Sequence, residues 1–169
     1  FMKAIADGAV TSNKPVIIQS DGTVADIDPT SASIPQSEGS PTSFTSSYAI
    51  YSNTTFDSTN NKVVTCYRDP GNSNYATAVV GTVSGNSISF GTPVVIFSGE
   101  QYDYMPTTFD SANGKVVVGI TNASYQACAV VGTVSGTSIS FGSPVVIDSG
   151  AFILQQGGAT YDSGNGKVV

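Results

Sequence analysis

The chain has 169 residues, of which 40% are hydrophobic and only 11% charged, and its six Lys and Arg against twelve Asp and Glu leave a formal charge of -6. That charge repels phosphate backbones and anionic lipid surfaces, so no nucleic-acid partner is expected. No apolar run approaches the roughly 20 residues of a membrane-spanning helix, and the N-terminus lacks the basic, apolar and small-residue sections of a signal peptide. Membrane insertion is not expected either.

Gly, Ser, Thr and Asn dominate the remaining composition, as in chains that stitch many short strands together, so the fold class reads as all-β. The two cysteines, Cys66 and Cys128, fall at different places in the repeats described below, which argues for free thiols rather than a recurring disulfide. With no His in the chain, a zinc site of ordinary ligand spacing cannot be built, and no cofactor or metal is implied.

Residues 1–28 read as a small β meander of two or three strands. Apolar runs P-V-I-I-Q (15–19) and T-V-A-D-I (23–27) flank Asp21-Gly22, a strong hairpin signal. Residues 29–47 are rich in Ser, Thr and Pro and read as an extended linker, whose last part, residues 39–45, faintly echoes a G-x-P-V-V-I sequence found further on. A degenerate outer strand is one reading of that echo.

Residues 48–169 are organised by repetition. The stretch A-V-V-G-T-V-S-G-N-S-I-S-F-G-T-P-V-V-I at 78–96 returns at 129–147 with two changes, Asn86 to Thr137 and Thr92 to Ser143. T-T-F-D-S-T-N-N-K-V-V (54–64) likewise returns at 107–117 and 159–169. In the second copy the pattern predicts strands near 104–109, 115–121, 127–134 and 138–147. Four antiparallel strands in about 50 residues describe a β-propeller-type blade, so the expectation is two nearly complete blades and the start of a third. Pro93 and Pro144 place S-I-S-F-G-x-P-V-V-I at the outer rim, because proline lacks a ladder donor, and leave T-T-F-D innermost. A closed propeller needs about 200 residues or more, so the expectation is a partial array, either a portion of a longer polypeptide or a ring completed by several chains.

A four-stranded meander alternates its loops between two faces. The D-S-x-N-x-K and V-S-G-x-S turns share one face and are nearly constant between copies, whereas the opposite loops differ in length and content. On that second face Tyr67, Arg68, Asp69, Asn72, Asn74, Tyr75, Tyr102, Asp103, Tyr104 and Tyr125 supply aromatic rings and planar hydrogen-bonding groups, a chemistry suited to sugar rings. Two readings of these loops stand open: a ligand site, or divergence without constraint in which the tyrosines are partly buried core.

The recurring Asp57, Asp110 and Asp162, each followed by a Lys at 62, 115 and 167, read as turn caps with weak exposed ion pairs, not as an acid and base set. D-S-x-N-G-K resembles the Asp-box turn of sialidase-type propellers, but the tryptophan of that motif is absent. No carboxylate pair stands at glycosidase spacing, so no catalytic residue is nominated.

In T-Y-D-S-G-N-G-K-V-V, in Y-R-D-P-G-N-S-N-Y-A-T-A-V-V-G-T-V-S-G-N-S-I-S-F-G-T-P-V-V-I and in their copies, residues 54–169 resemble the repeat regions of tail-fibre-like structural proteins of marine tailed bacteriophages, cyanophages among them. A-D-G-A-V-T-S-N-K-P-V-I-I-Q-S-D-G-T-V is similar, more weakly, to the β segments that open many phage virion proteins. The second copy departs from the pattern where I-T-N-A-S-Y-Q-A-C replaces the Y-R-D-x-G-N-S-N-Y-type loop. The resemblance implies a non-enzymatic virion protein, homo-oligomeric on the particle. Residues 1–28 would contact other virion proteins, and the propeller would face a host-surface glycan or protein. A capsid-attached fibre or decoration protein is an alternative within that class. A secreted bacterial propeller that binds or hydrolyses polysaccharide is the alternative outside it.

Overall fold

The computed structural model describes residues 5–6, 16–18, 23–26, 38–150 and 157–169, and within them the chain is all-β apart from one 3-10 turn at Pro70–Asn72. It divides into two compact units, Phe1–Glu38 and Gly39–Val169.

In the first unit β1 (Ile5–Ala6), β2 (Val16–Ile18) and β3 (Thr23–Asp26) form one sheet in the order β1-β3-β2. β2 and β3 pair antiparallel with Ile18 opposite Val24, as a hairpin does, although Asp21 and Gly22 themselves lie outside the described residues. β1 pairs parallel with β3, which corrects the expectation of a simple meander. A strand preceding a hairpin can join either edge. Here it joins the far one, beside the second strand of the hairpin, and so runs parallel to its neighbour.

The second unit contains two five-stranded sheets of the same plan. The first comprises β4 (Ile50–Asp57), β5 (Lys62–Asp69), β6 (Tyr75–Ser84), β7 (Ser87–Phe90) and β8 (Val94–Glu100). The second comprises β9 (Thr107–Asp110), β10 (Lys115–Thr121), β11 (Ala127–Ser135), β12 (Ser138–Phe141) and β13 (Val145–Asp148). A hairpin of β14 (Tyr161–Asp162) and β15 (Lys167–Val168) follows. All these pairings are antiparallel. Among the described residues the sheets do not close into a ring.

The outer strand expected to run unbroken over 138–147 is instead two strands, Ser138–Phe141 and Val145–Asp148, and in both sheets the fourth strand is broken where a proline stands. β7 and β8 run along one edge of β6, one continuing the other past Gly91, Thr92 and Pro93, and the Gly91 amide still donates to the Val80 carbonyl at 2.9 Å. The second sheet repeats this with Gly142 donating to Val131 at 3.0 Å. Edge position and break both follow from the missing proline donor. The second sheet's first strand is shorter than expected, since residues 104–106 are not strand.

The turns close as the recurrent Asp requires. Asp57 Oδ1 accepts from the amides of Thr59 and Asn60 at 2.9 and 3.0 Å, and its Oδ2 accepts from Asn60 Nδ2 at 2.8 Å. Asp110 and Asp162 do the same in their copies. With both oxygens so engaged, the lysines do not form the expected ion pairs: Lys62 Nζ and Lys115 Nζ donate to Thr82 and Thr133 Oγ1 at 2.9 and 2.8 Å. The turn ends in a left-handed residue, Gly114 and Gly166 with φ of 63° and, in the first copy, Asn61 with φ of 54°. Asn is the side chain that tolerates this conformation best.

The core lies between the two large sheets. β4 lies against β9, and β12 against β6 and β8. Val64, Cys66, Ala78, Val80 and Ile96 of the first sheet pack against Val116, Val118, Ile120, Cys128 and Val130 of the second. Both thiols are free and buried there. Burial pushes Cys66 up to about 12, against a weaker opposing contact with Thr107, and also raises Cys128. A thiol in this setting is an inert apolar side chain.

The outer face of the first sheet is covered by residues 39–47, which form no strand and pack with this unit, not as a free linker. Phe44 meets Tyr67 edge-on at 5.1 Å and Phe90 at 5.5 Å. Gly39 sits so close to the Asn86 carbonyl that a Cβ there would collide with it, and Gly91 stands in the same relation to the carbonyl of Thr137, the residue equivalent to Asn86. The G-S-P at 39–41 therefore takes the place on the first sheet that G-T-P at 91–93 takes on the second. The echo seen in sequence is positional, without the strand hydrogen bonds.

Candidate functional site

The topology sends the connections 69–74, 101–106 and 122–126 to one end of the two large sheets and the Asp turns to the other. At the first end the register sets Glu100, the last residue of β8, opposite Tyr75, the first of β6. This brings the end of one connection beside the start of another. The Gln101 amide then donates to the Asn74 carbonyl at 2.9 Å.

Glu100 is the organising group, and sequence reasoning passed it over. Its Oε1 accepts from Arg68 Nη2 at 3.3 Å and from Asn74 Nδ2 at 3.1 Å, while its Oε2 accepts from the Tyr102 hydroxyl at 2.8 Å. Arg68 Nε closes the set by donating to Asn74 Oδ1 at 3.0 Å. The Arg68–Glu100 ion pair is the one ion pair among the described residues, half-exposed on the Glu side, and such a pair contributes no more than about 1 kcal/mol. Its consequence is positional: Tyr102 is held by its hydroxyl with its ring turned out. The hydrogen bond to Glu100 raises the Tyr102 phenol to about 12, with smaller pushes from burial and from the nearby carboxylate and Tyr125.

Tyr125 lies 5.6 Å from Tyr102, ring centroid to ring centroid, at 32°. Tyr102 and Tyr125 are 39% and 46% exposed, so this aromatic pair stands at the surface. Tyr125 has a left-handed φ of 60°, set by a tight loop in which Asn122 Oδ1 accepts from the amides of Ser124 and Gln126, both at 3.0 Å. A third connection is locked from beneath by Gln101, fully buried, whose Nε2 donates to the Asp103 carbonyl at 3.4 Å and whose Oε1 accepts from the Thr121 amide at 3.3 Å. A rigid amide under the loop fixes where Tyr102 stands.

Of the ten residues singled out in sequence, Arg68, Asn74, Tyr102 and Tyr125 meet in this one cluster. Tyr75 borders it, half-buried, through its pairing with Glu100. Asp69 and Asn72 belong to the neighbouring 3-10 turn, where Asp69 Oδ1 accepts from the Gly71 amide at 3.0 Å and Asn72 is exposed. Tyr104 is separate, tilted against Tyr51 at 5.0 Å. Two candidates face inward instead. Tyr67 is fully buried against Phe44, its phenol raised by burial and by the Asp69 charge. Asp103 is 8% exposed, and burial raises its carboxyl. Strand alternation decides Tyr67: β5 turns odd-numbered side chains toward the 39–47 segment, and no sequence signal reveals that this side is covered.

Comparison with family models, with curated proteins and with solved structures finds no match to this chain. Its chemistry must be argued from the site. Among the described residues no group of three or more His, Cys, Asp or Glu could hold a metal. What the cluster offers is two exposed aromatic faces beside an Arg, an Asn and a carboxylate that already satisfy one another.

Proposed function

We propose that this chain is a structural virion protein of a tailed bacteriophage, tail-fibre-like and without enzymatic activity, anchored through residues 1–28. Its large sheets act as β-propeller-type blades that present the Tyr102–Tyr125 end to a host-surface glycan. The blade reading is supported by equivalent first strands lying side by side, β4 against β9 and β9 against β14. The virion reading is supported by the wording of the repeats.

The observation that carries the recognition role is the fixed, exposed pair of tyrosines on the end where the two copies differ. Sugar rings dock their apolar faces on such aromatics, and their hydroxyls find planar partners at the rim. The formal charge of -6 favours a neutral or weakly basic glycan over a polyanionic one.

Binding of the purified chain to host-cell polysaccharide tests this. Tyr102→Ala and Tyr125→Ala are each expected to weaken binding about tenfold or more while leaving the fold intact. Cleavage of the polysaccharide, or undiminished binding in the double variant, would overturn it. Immunogold location on particles distinguishes tail from capsid attachment.

A further inference from the structure

The connection 101–106 carries one member of each of two aromatic pairs. Along it Gln101, Asp103 and Met105 are buried while Tyr102 and Tyr104 are 39% and 41% exposed, the alternation of an extended segment that turns both tyrosines outward. Each meets a different partner. Tyr102 stands beside Tyr125 in the loop 122–126, and Tyr104 stands beside Tyr51, near the start of β4, with ring centroids 5.0 Å apart at 49°. Tyr51 reaches this end of the sheets because β4 begins there. Ile50 pairs with Arg68, and Arg68 Nη2 donates to Glu100, which holds the Tyr102 hydroxyl. Both aromatic pairs therefore border one polar set.

The backbone at Tyr51 departs from a regular strand. Between Ile50 and Asn53 the ladder shifts register, so that Tyr51 and Ser52 stand against the single residue Tyr67. A bulge of this kind re-aims a side chain that plain alternation would send elsewhere. Tyr51 has a φ of 54°, a left-handed conformation that Asn tolerates and a bulky aromatic residue rarely adopts. Tyr125, with a φ of 60°, shares it. Among the described residues the non-glycine positions with positive φ are Tyr51, Asn61, Ser73, Asn74 and Tyr125, and the two large ones each supply a ring to one of the pairs. Neither ring is buried in the core, since Tyr125 is exposed and Tyr51 half-buried. Strained backbone of this sort concentrates at ligand clamps.

We propose that the Tyr51–Tyr104 pair is a second sugar subsite beside Tyr102–Tyr125, so that this end of the protein binds a neutral oligosaccharide long enough to cover both pairs. Two residue steps separate Tyr102 from Tyr104, at most about 7 Å between Cα atoms. One sugar ring stacks on one pair, and successive rings of the same chain reach the next. The tyrosines take the apolar faces of the rings, while Arg68 and Asn74 meet hydroxyls at the rim. Arg68 is already paired with Glu100, and the formal charge is -6, so the set does not favour acidic sugars. The inference rests on the glycan-recognition reading and goes beyond it by adding Tyr51 to the site and a length requirement to the ligand.

The test is calorimetric titration of the full chain with neutral oligosaccharides, from monosaccharide to octasaccharide, released by partial hydrolysis of the host-cell polysaccharide. Affinity is expected to rise at least about tenfold once the length covers both pairs. Tyr104→Ala should remove that rise and leave the affinity of the shortest binders within about twofold. Tyr51→Asn should do the same, with a side chain that suits the left-handed backbone and so keeps the fold. Tyr102→Ala should weaken every length. Equal weakening of short and long oligosaccharides by Tyr104→Ala, or no effect of Tyr104→Ala and Tyr51→Asn at any length, would overturn the second subsite while leaving the Tyr102–Tyr125 reading in place. Failure of every length and of the intact polysaccharide to bind would overturn both. Host-cell binding that is abolished by protease treatment of the cells would assign the tyrosines to a protein partner and refute the proposal.

Discussion

β6 and β11 share the sequence A-V-V-G-T-V-S, yet β6 is buried on both faces along most of its length while β11 alternates buried and exposed. The same residues with the same turns and the same pairing give two environments, and the difference lies entirely in what stacks on each sheet. In a stacked repeat each unit buries only one face with its own successor, so stability is a sum over contacts between neighbours.

Substitution at equivalent positions should therefore give unequal costs. Ile96→Ala is expected to destabilise by about 3 kcal/mol, as for a buried Ile, and Ile147→Ala by less than about 1 kcal/mol, both read from urea unfolding. Equal losses would mean that the face carrying Ile147 is covered in solution. Gly91→Ala should cost about 1–3 kcal/mol by forcing the Thr137 turn away, and Gly142→Ala should be near neutral in the same measurement.

The covering of the first sheet gives a smaller effect. Phe44 is half-buried, so Phe44→Ala is expected to lose about 1–2 kcal/mol and to speed hydrogen exchange in β5 before β10. Uniform exchange changes across both sheets would show that residues 39–47 do not act as a local cover.

The smallest expected effect concerns the loop end. Tyr102 has its phenol raised to about 12 by Glu100, so in an ultraviolet titration it should ionise well above the ordinary phenol value of about 10. Glu100→Gln should return it toward the ordinary value of about 10. The sign follows from the raised folded pKa: the stabilisation is present below the unfolded phenol's pKa of about 10 and is lost as pH rises toward 12. An unchanged titration in Glu100→Gln would show that the hydrogen bond does not persist in solution.

Much of the site was legible because loops that differ between copies stand out against a constant frame, and Arg68, Asn74, Tyr102 and Tyr125 were found that way. Glu100 was not, since a single carboxylate at a strand end carries no pattern. Only the pairing of Glu100 with Tyr75 brings three donors around it. Tyr67 misled for the opposite reason, as its composition suits a binding surface and its strand position buries it.

The sequence by itself determined the all-β class, the repeat, the turn chemistry of Asp57, Asp110 and Asp162 and the edge position of the proline-bearing outer strands, because each depends on residues close in the chain. Tertiary structure alone decided that β1 runs parallel to β3, that residues 39–47 cover a sheet, and that Val80 is buried where Val131 is not. Those outcomes depend on which surfaces meet, and identical local sequences leave that choice to the neighbours they find.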